Sequence, residues 1–229
     1  MKKIVFFALC ATLLTSCQKE SIEPQVDEPE EWGVIIIKGK KFTFTVKGDF
    51  GAAAFTRAYL QADGKEMTDL WVYDYMDGQL VQKLHQTPDD AAWGKPEMTL
   101  AYGQHHVYFV ASRGTDPSVN ETDHIISWGS VRDTFWKAMS VTVGGASASA
   151  YSVALDRVVT KLKITATDAV PEGTATVVVM PGKWYAGLDY LTGQPADMRD
   201  SEEMSVSVPA SYAGTTGLAV SFFGFSTST

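Results

Sequence analysis

From residue 34 onward the apolar residues recur at every second position, and a chain with that period is built to form half-buried strands. Phe42, Phe44 and Val46 alternate with Thr43, Thr45 and Lys47. Leu70 and Val72 alternate with Trp71, Tyr73 and Tyr75, a stretch apolar on nearly both faces. Asp77-Gly78 follows, a hairpin signal leading into residues 79–84. Further strands are predicted at 97–102, 105–111, 139–143, 151–155, 158–166, 174–180, 204–208 and 218–225. Gly103-Gln104 supplies a tight turn between two of them. Helical periodicity is best at residues 130–138, where Val131, Phe135 and Ala138 could share a face, so one or two short helices are expected. Many short strands with turn signals between them indicate a β-sandwich architecture. The small, flexible run at 144–150 is either a junction between two β domains or a long hairpin loop inside one.

A chain of 229 residues, 45% hydrophobic and 11% aromatic, can build a packed core in one large domain or two small ones. Its 19 basic and 27 acidic residues give a formal charge of −8 without any Lys/Arg cluster, which argues against nucleic acid as a partner. The two cysteines, Cys10 and Cys17, are too few for a disulfide scaffold or a cysteine-based zinc site.

Both cysteines sit in what reads as an export leader. Lys2 and Lys3 precede an apolar run from Ile4 to Leu14. That run is shorter than the about 20 residues a membrane-spanning helix needs, but it suits a signal-peptide core. It ends in Leu14-Thr15-Ser16-Cys17, which matches the bacterial lipobox: an aliphatic residue, two small ones, then the cysteine that receives the acyl chains. Residues 1–16 are therefore expected to be a lipoprotein signal peptide, with acylated Cys17 (palmitate or a similar chain) as the first residue of the mature protein. Several acyl chains, at about 0.8 kcal/mol per buried CH₂, hold a domain on a membrane where one would not. Loss of Lys2 and Lys3 leaves 17 basic against 27 acidic residues, a formal charge of −10. Residues 17–33 are expected to form an acidic tether. Positions 18–31 hold six acidic residues, one lysine, Pro24 and Pro29, with little to bury.

Signatures of catalysis are scarce. No G-x-S-x-G elbow, P-loop, dinucleotide fingerprint or H-E-x-x-H occurs, and after processing no cysteine is left to act as a nucleophile. His105 and His106 are adjacent, so on a strand they point to opposite faces and cannot share a metal. Asp74, Asp77 and Gly78 faintly suggest a calcium loop, but a hairpin explains them more simply. Asp89-Asp90 after Pro88 reads as a turn. Trp71, Trp93, Trp128, Trp136 and Trp184 include candidates for a sugar-stacking platform, although most tryptophans are core residues. Neither a cofactor nor a metal is expected.

Four stretches together resemble the fimbrillin-like proteins of Bacteroidetes. They are the lipobox with its acidic tether; Phe55-Thr56-Arg57-Ala58 leading into Leu70-Trp71-Val72-Tyr73-Asp74 and the Asp77-Gly78 turn; Leu100-Ala101-Tyr102-Gly103 followed by Val107-Tyr108-Phe109-Val110; and Leu155-Asp156-Arg157-Val158-Val159 running into Lys161-Leu162-Lys163-Ile164. Each is loose, and their order carries the resemblance.

The resemblance implies an all-β chain of two tandem transthyretin-like β-sandwich domains, at 34–150 and 151–229. The chain stops at residues 226–229, directly after a strong strand, where relatives usually continue, so the second domain is expected to be incomplete. The resemblance further implies assembly by donor-strand exchange with other fimbrial subunits. In polymerising members a protease cuts after an arginine, for which Arg57 is the matching position and residues 42–46 the removable strand. In anchor members the lipid stays and fixes the fimbria (pilus) to the outer membrane. The expectation is thus a non-enzymatic, surface-exposed outer-membrane lipoprotein that supports cell adhesion. The alternative is a glycan-binding surface lipoprotein, favoured by a row of exposed aromatics, with a hydrolase a distant third.

Overall fold

The structure is a computed structural model that describes residues 39–48, 61–62, 65–200 and 202–225. Cys17, the acidic tether and Arg57 lie outside the described residues. In chain order the strands are β1 (Gly39–Gly48), β2 (Gln61–Ala62), β3 (Lys65–Glu66), β4 (Asp69–Met76), β5 (Gln79–Gln86) and β6 (Glu97–Ala101). Next come β7 (Gly103–Ser112), β8 (Ser118–Asn120), β9 (Ile125–Ser127), β10 (Thr134–Val143), β11 (Ala150–Arg157) and β12 (Val159–Thr165). The last are β13 (Thr176–Val179), β14 (Lys183–Asp189), β15 (Gln194–Asp200), β16 (Met204–Ser207) and β17 (Ala219–Phe225). The protein is all-β: among the described residues no α-helix occurs, only a 3₁₀ turn at Ala210–Tyr212.

Seven strands form the first sheet in the order β5-β4-β7-β10-β11-β1-β6. The neighbours are antiparallel except β1 and β11, which run parallel. The sheet rolls over on itself. Phe44 of β1 meets Phe109 of β7 edge-on at 5.4 Å, although β10 and β11 separate those strands in the hydrogen-bonded order. Inside the roll lies the larger core, with Phe42, Phe44, Val46, Leu70, Val72, Val107 and Phe109 fully buried.

The alternation read from the sequence explains which side chains reach this core. In β4, Leu70 and Val72 point into the roll, while Trp71, Tyr73 and Tyr75 point outward onto a second core shared with the second sheet. A strand apolar on both faces is therefore one that is covered on both. The turn after β4 has Asp77 at φ 50° and Gly78 at φ 76°, two left-handed residues in succession, as a two-residue type I′ hairpin requires.

The second sheet runs β12-β17-β14-β9-β8, with β15 pairing the other side of β14. Strands β13 and β16 form a separate ribbon, and β2 and β3 a short one. The second core joins the two sheets: Trp128 stacks on Phe225 at 5.5 Å and meets Trp71 edge-on at 6.2 Å, and Tyr73 stacks on Tyr190 at 4.0 Å. β11, which begins at Ala150, belongs to the first sheet, and the β8–β9 hairpin belongs to the second. Residues 144–149 of that small, flexible run are the loop between β10 and β11, which pair antiparallel at Phe135↔Arg157 and Trp136↔Asp156.

Two expectations fail: Gly103-Gln104 opens β7 and pairs with β10 instead of forming a tight turn, and the expected helix is a strand. Residues 130–138 are not helical: β10 begins at Thr134. Phe135 is buried in the rolled core, whereas its neighbour Trp136 packs on the inter-sheet core and donates its Nε1–H to Tyr190 O at 2.8 Å. Consecutive residues serving opposite cores impose period two, and the helical spacing of Val131, Phe135 and Ala138 is a coincidence of composition.

Candidate strand-acceptor edge

A sheet edge is a row of unpaired backbone groups, and proteins usually blunt it. The edge at β15 carries Pro195 and places Asp197 at φ 51°, which breaks the line of the strand. β8 is three residues long, β6 presents Glu97 and β5 presents Lys83 and His85.

β12 is different. Among the described residues it has a strand neighbour only on its β17 side. Leu162 and Ile164 lie opposite Phe222 and Val220, so the four side chains share one face. Phe222 and Val220 are buried, yet Leu162 and Ile164 are 41% and 37% exposed. On the other face Lys161 sets its ammonium 5.6 Å from the Phe223 ring centre. The lysines solvate one face while the other remains apolar.

Cover over this face is thin. The nearby core contains Val170, Val208 and Leu218, with Val177 of the β13–β16 ribbon packed against it. Val178 and Met180, at the end of that ribbon, are exposed. Full burial of a Leu or Ile side chain stabilises by about 1.5–3 kcal/mol. Covering the exposed part of Leu162 and Ile164 would therefore yield about 1 kcal/mol each, leaving backbone pairing as the larger attraction for an added strand.

β1, the expected removable strand, is fully described. Phe42, Phe44 and Val46 are completely buried, and their strand pairs with β11 on one side and β6 on the other. Phe42 and Phe44 both stack on Tyr151, at 5.9 and 6.0 Å. The proposed cut position, Arg57, and the acylation position, Cys17, lie outside the described residues.

Among the described residues the aromatics do not form an exposed row. Trp71 and Trp128 are buried, and Trp93, Trp136 and Trp184 are half-buried. Burial raises the phenols of Tyr73 and Tyr190 above the usual tyrosine range, so both stay neutral between the sheets. A cleft of about 300 Å³ opens beside Trp71, Tyr73, Lys83, His85 and Glu121. Its aromatic faces are already occupied, Trp71 by His85 at 5.0 Å and Tyr73 by Tyr190.

The adjacent histidines do point apart. His106 meets Ser140 Oγ at the exposed face, whereas His105 is buried with Asp74. His105 Nδ1 lies 2.8 and 3.0 Å from the two Asp74 oxygens, and Nε2 lies 3.0 Å from Ala101 O. A carbonyl can only accept, so Nε2 carries a proton. Burial pushes the Asp74 carboxyl up, and the hydrogen bond and charge of His105 pull it partly back. This pair ties the end of β6 to the middle of β4 and explains Asp74 without a calcium loop. No helix among the described residues is long and apolar enough to cross a membrane.

No family model and no curated protein matches the chain. Solved structures do. A candidate polysaccharide-binding protein from Bacteroides thetaiotaomicron superposes with a TM-score of 0.53 at 11% identity, covering 81% of this chain and 71% of that one. A candidate adhesin from Bacteroides ovatus gives a TM-score of 0.53 at 12% identity, covering 82% and 66%. The fimbrial anchor protein Mfa2 from Porphyromonas gingivalis gives 0.50 at 8% identity, covering 83% and 74%. This chain thus spans just under two thirds of the ovatus adhesin and somewhat more of the other two. At these identities the likeness is one of fold.

Proposed function

We propose that this chain, which shares its fold with the Mfa2 fimbrial anchor and with candidate Bacteroides adhesins, is a non-enzymatic subunit or membrane anchor of a cell-surface fimbria. The observation that carries the proposal is the β12 edge, a seven-residue strand with a half-exposed apolar face in that shared fold. An extended segment from another subunit would pair with the β12 backbone and lay alternate side chains over Leu162 and Ile164. In the same reading Cys17 carries the acyl anchor in the outer membrane, and cleavage after Arg57 would release β1 in a polymerising subunit. The division into transthyretin-like sandwich domains at 34–150 and 151–229 belongs to this proposal. The first segment then lends the β8–β9 hairpin to the second sheet, and the second segment lends β11 to the first.

The test is assembly in cells that produce the Leu162→Lys/Ile164→Lys double variant. Two ammonium groups on the apolar face should exclude an added strand while leaving the buried core untouched. Loss of the subunit from sheared fimbriae, with normal amounts of folded protein at the cell surface, is the expected result. Incorporation at the wild-type level would overturn the proposal. The second reading, capture of a glycan at the surface, is compatible with the fold of the Bacteroides thetaiotaomicron neighbour and is favoured by one cavity.

A further inference from the structure

A notch opens in the second sheet where β17 leaves β14. Among the described residues Tyr185↔Phe225 is the only register pair between these two strands, whereas β12 follows β17 along its whole length. Trp184 wedges beside the divergence. It fits because residue 224 is glycine: a Cβ there would lie 2.1 Å from Trp184 Cζ2. The result is a cavity of about 240 Å³ between β17, β14 and the segment leading into β16.

Its lining mixes flat aromatic surface with charge. Trp184 and Phe223 supply the accessible aromatic part beside the buried Trp128, and Arg132, Arg199, Glu202 and Glu203 supply the polar part. Arg199 is held in place: it donates to Trp128 O at 3.2 Å and to Asp197 Oδ2 at 2.9 Å, and it lies 3.6 Å from Glu202 Oε1. Glu203 is exposed at the rim.

Each of these facts narrows the ligand. Two guanidiniums and two carboxylates leave the lining without net charge, so neither a strongly anionic nor a strongly cationic ligand is favoured. An apolar side chain from a neighbouring strand would strip water from charged groups and return no hydrogen bonds. A polyhydroxylated ring does both jobs. Its C–H face lies on an indole, its hydroxyls donate to a carboxylate, and its oxygens accept from a guanidinium. A cavity of this volume is smaller than the about 300–1,000 Å³ usual for drug-sized ligands, which suits one sugar ring at a time.

We infer that the notch between β14 and β17 binds one residue of a neutral saccharide, with Trp184 as the stacking plate and Glu203, Glu202 and Arg199 as the hydroxyl partners. None of these residues lies on β12, so the site stands whether or not the subunit joins a fimbria.

The test is native affinity electrophoresis of the full chain through gels containing dextran, mannan, galactan or xylan, with polygalacturonate and heparin as anionic counterparts. Retardation by at least one neutral polymer is expected. A stacking contact is modest, so Trp184→Ala should weaken the apparent affinity by about two- to tenfold. Trp184 packs against Gly224, so Glu203→Gln is the second variant. It sits at the exposed rim, should leave the melting temperature unchanged and should also lose affinity. No retardation by any neutral polymer, retardation by the anionic polymers alone, or undiminished retardation of Glu203→Gln would each overturn the site.

Discussion

Phe44→Ala probes the strand on which both the core and the proposed assembly route depend. Phe44 is fully buried, meets Phe109 at 5.4 Å and stacks on Tyr151 and Phe42 at 6.0 and 6.3 Å. Its neighbours belong to β1, β7 and the start of β11, strands held by backbone pairing, so they cannot collapse fully into the space it would leave. Truncating a buried phenylalanine costs about 3–5 kcal/mol. For a folded unit of this size that corresponds to a fall in melting temperature of about 6–20 °C. The assay is thermal and urea unfolding followed by circular dichroism at neutral pH. A fall under about 2 °C would refute the placement of β1 inside the roll. The same arithmetic bears on function. Phe42, Phe44 and Val46 are all fully buried, and burying three such side chains contributes about 4.5–9 kcal/mol, comparable with the whole stability of a typical domain. A subunit that loses β1 must therefore gain a replacement strand or unfold.

Three further outcomes follow from named residues. Cys17→Ala should leave the product soluble or unprocessed, because no other cysteine follows the leader; mature-sized protein still in the membrane fraction would reject lipid anchoring. Asp74 is raised above its unfolded pKa, chiefly by burial, so the folded protein holds that proton more tightly than the unfolded chain does. Its contribution to stability is therefore fully present below the unfolded value and is lost as pH rises through the folded one. In urea titrations across acidic to neutral pH, wild type should lose this component relative to Asp74→Asn as pH rises, and identical pH dependence would contradict the assignment. Limited trypsin treatment should cut after Arg57 and shift the product to higher-order species in size-exclusion chromatography. Arg57→Ala should do neither, and cleavage without assembly in the presence of a donor peptide would defeat strand exchange for this subunit.

The parts of the fold that were legible in the sequence are those governed by local period and turn chemistry. Alternation placed β1, β4, β7 and β17, and Asp77-Gly78 set the β4–β5 hairpin. The strands that went unread lack a clean period. In β14, Lys183-Trp184-Tyr185-Ala186-Gly187-Leu188-Asp189 has large side chains side by side because β14 contacts the inter-sheet core and the notch at once. β15 is polar throughout most of its length and is defined only by pairing with β14. The buried His105–Asp74 pair joins residues 31 positions apart, so it depends on the β4–β7 register, which no local pattern specifies. The notch between β14 and β17 depends on two strands diverging, which is likewise a property of the assembled sheet. The open edge at β12 was half legible: Lys161-Leu162-Lys163-Ile164 announces a strand with one apolar face, but not that the face would stay partly uncovered.

In the assembly proposed above, β12 receives a strand from another subunit. The most direct measurement places a photo-crosslinking amino acid at position 164 in the full chain, irradiates intact cells and identifies the linked peptide by mass spectrometry. Ile164 is 37% exposed on the apolar face of that edge, so its replacement leaves the core intact. The account predicts a covalent link to an extended, alternating apolar segment of a different fimbrial subunit, absent when the same residue is placed at buried position 220. Links confined to this chain's own β13–β16 ribbon, or no intermolecular product from assembled surface material, would contradict it.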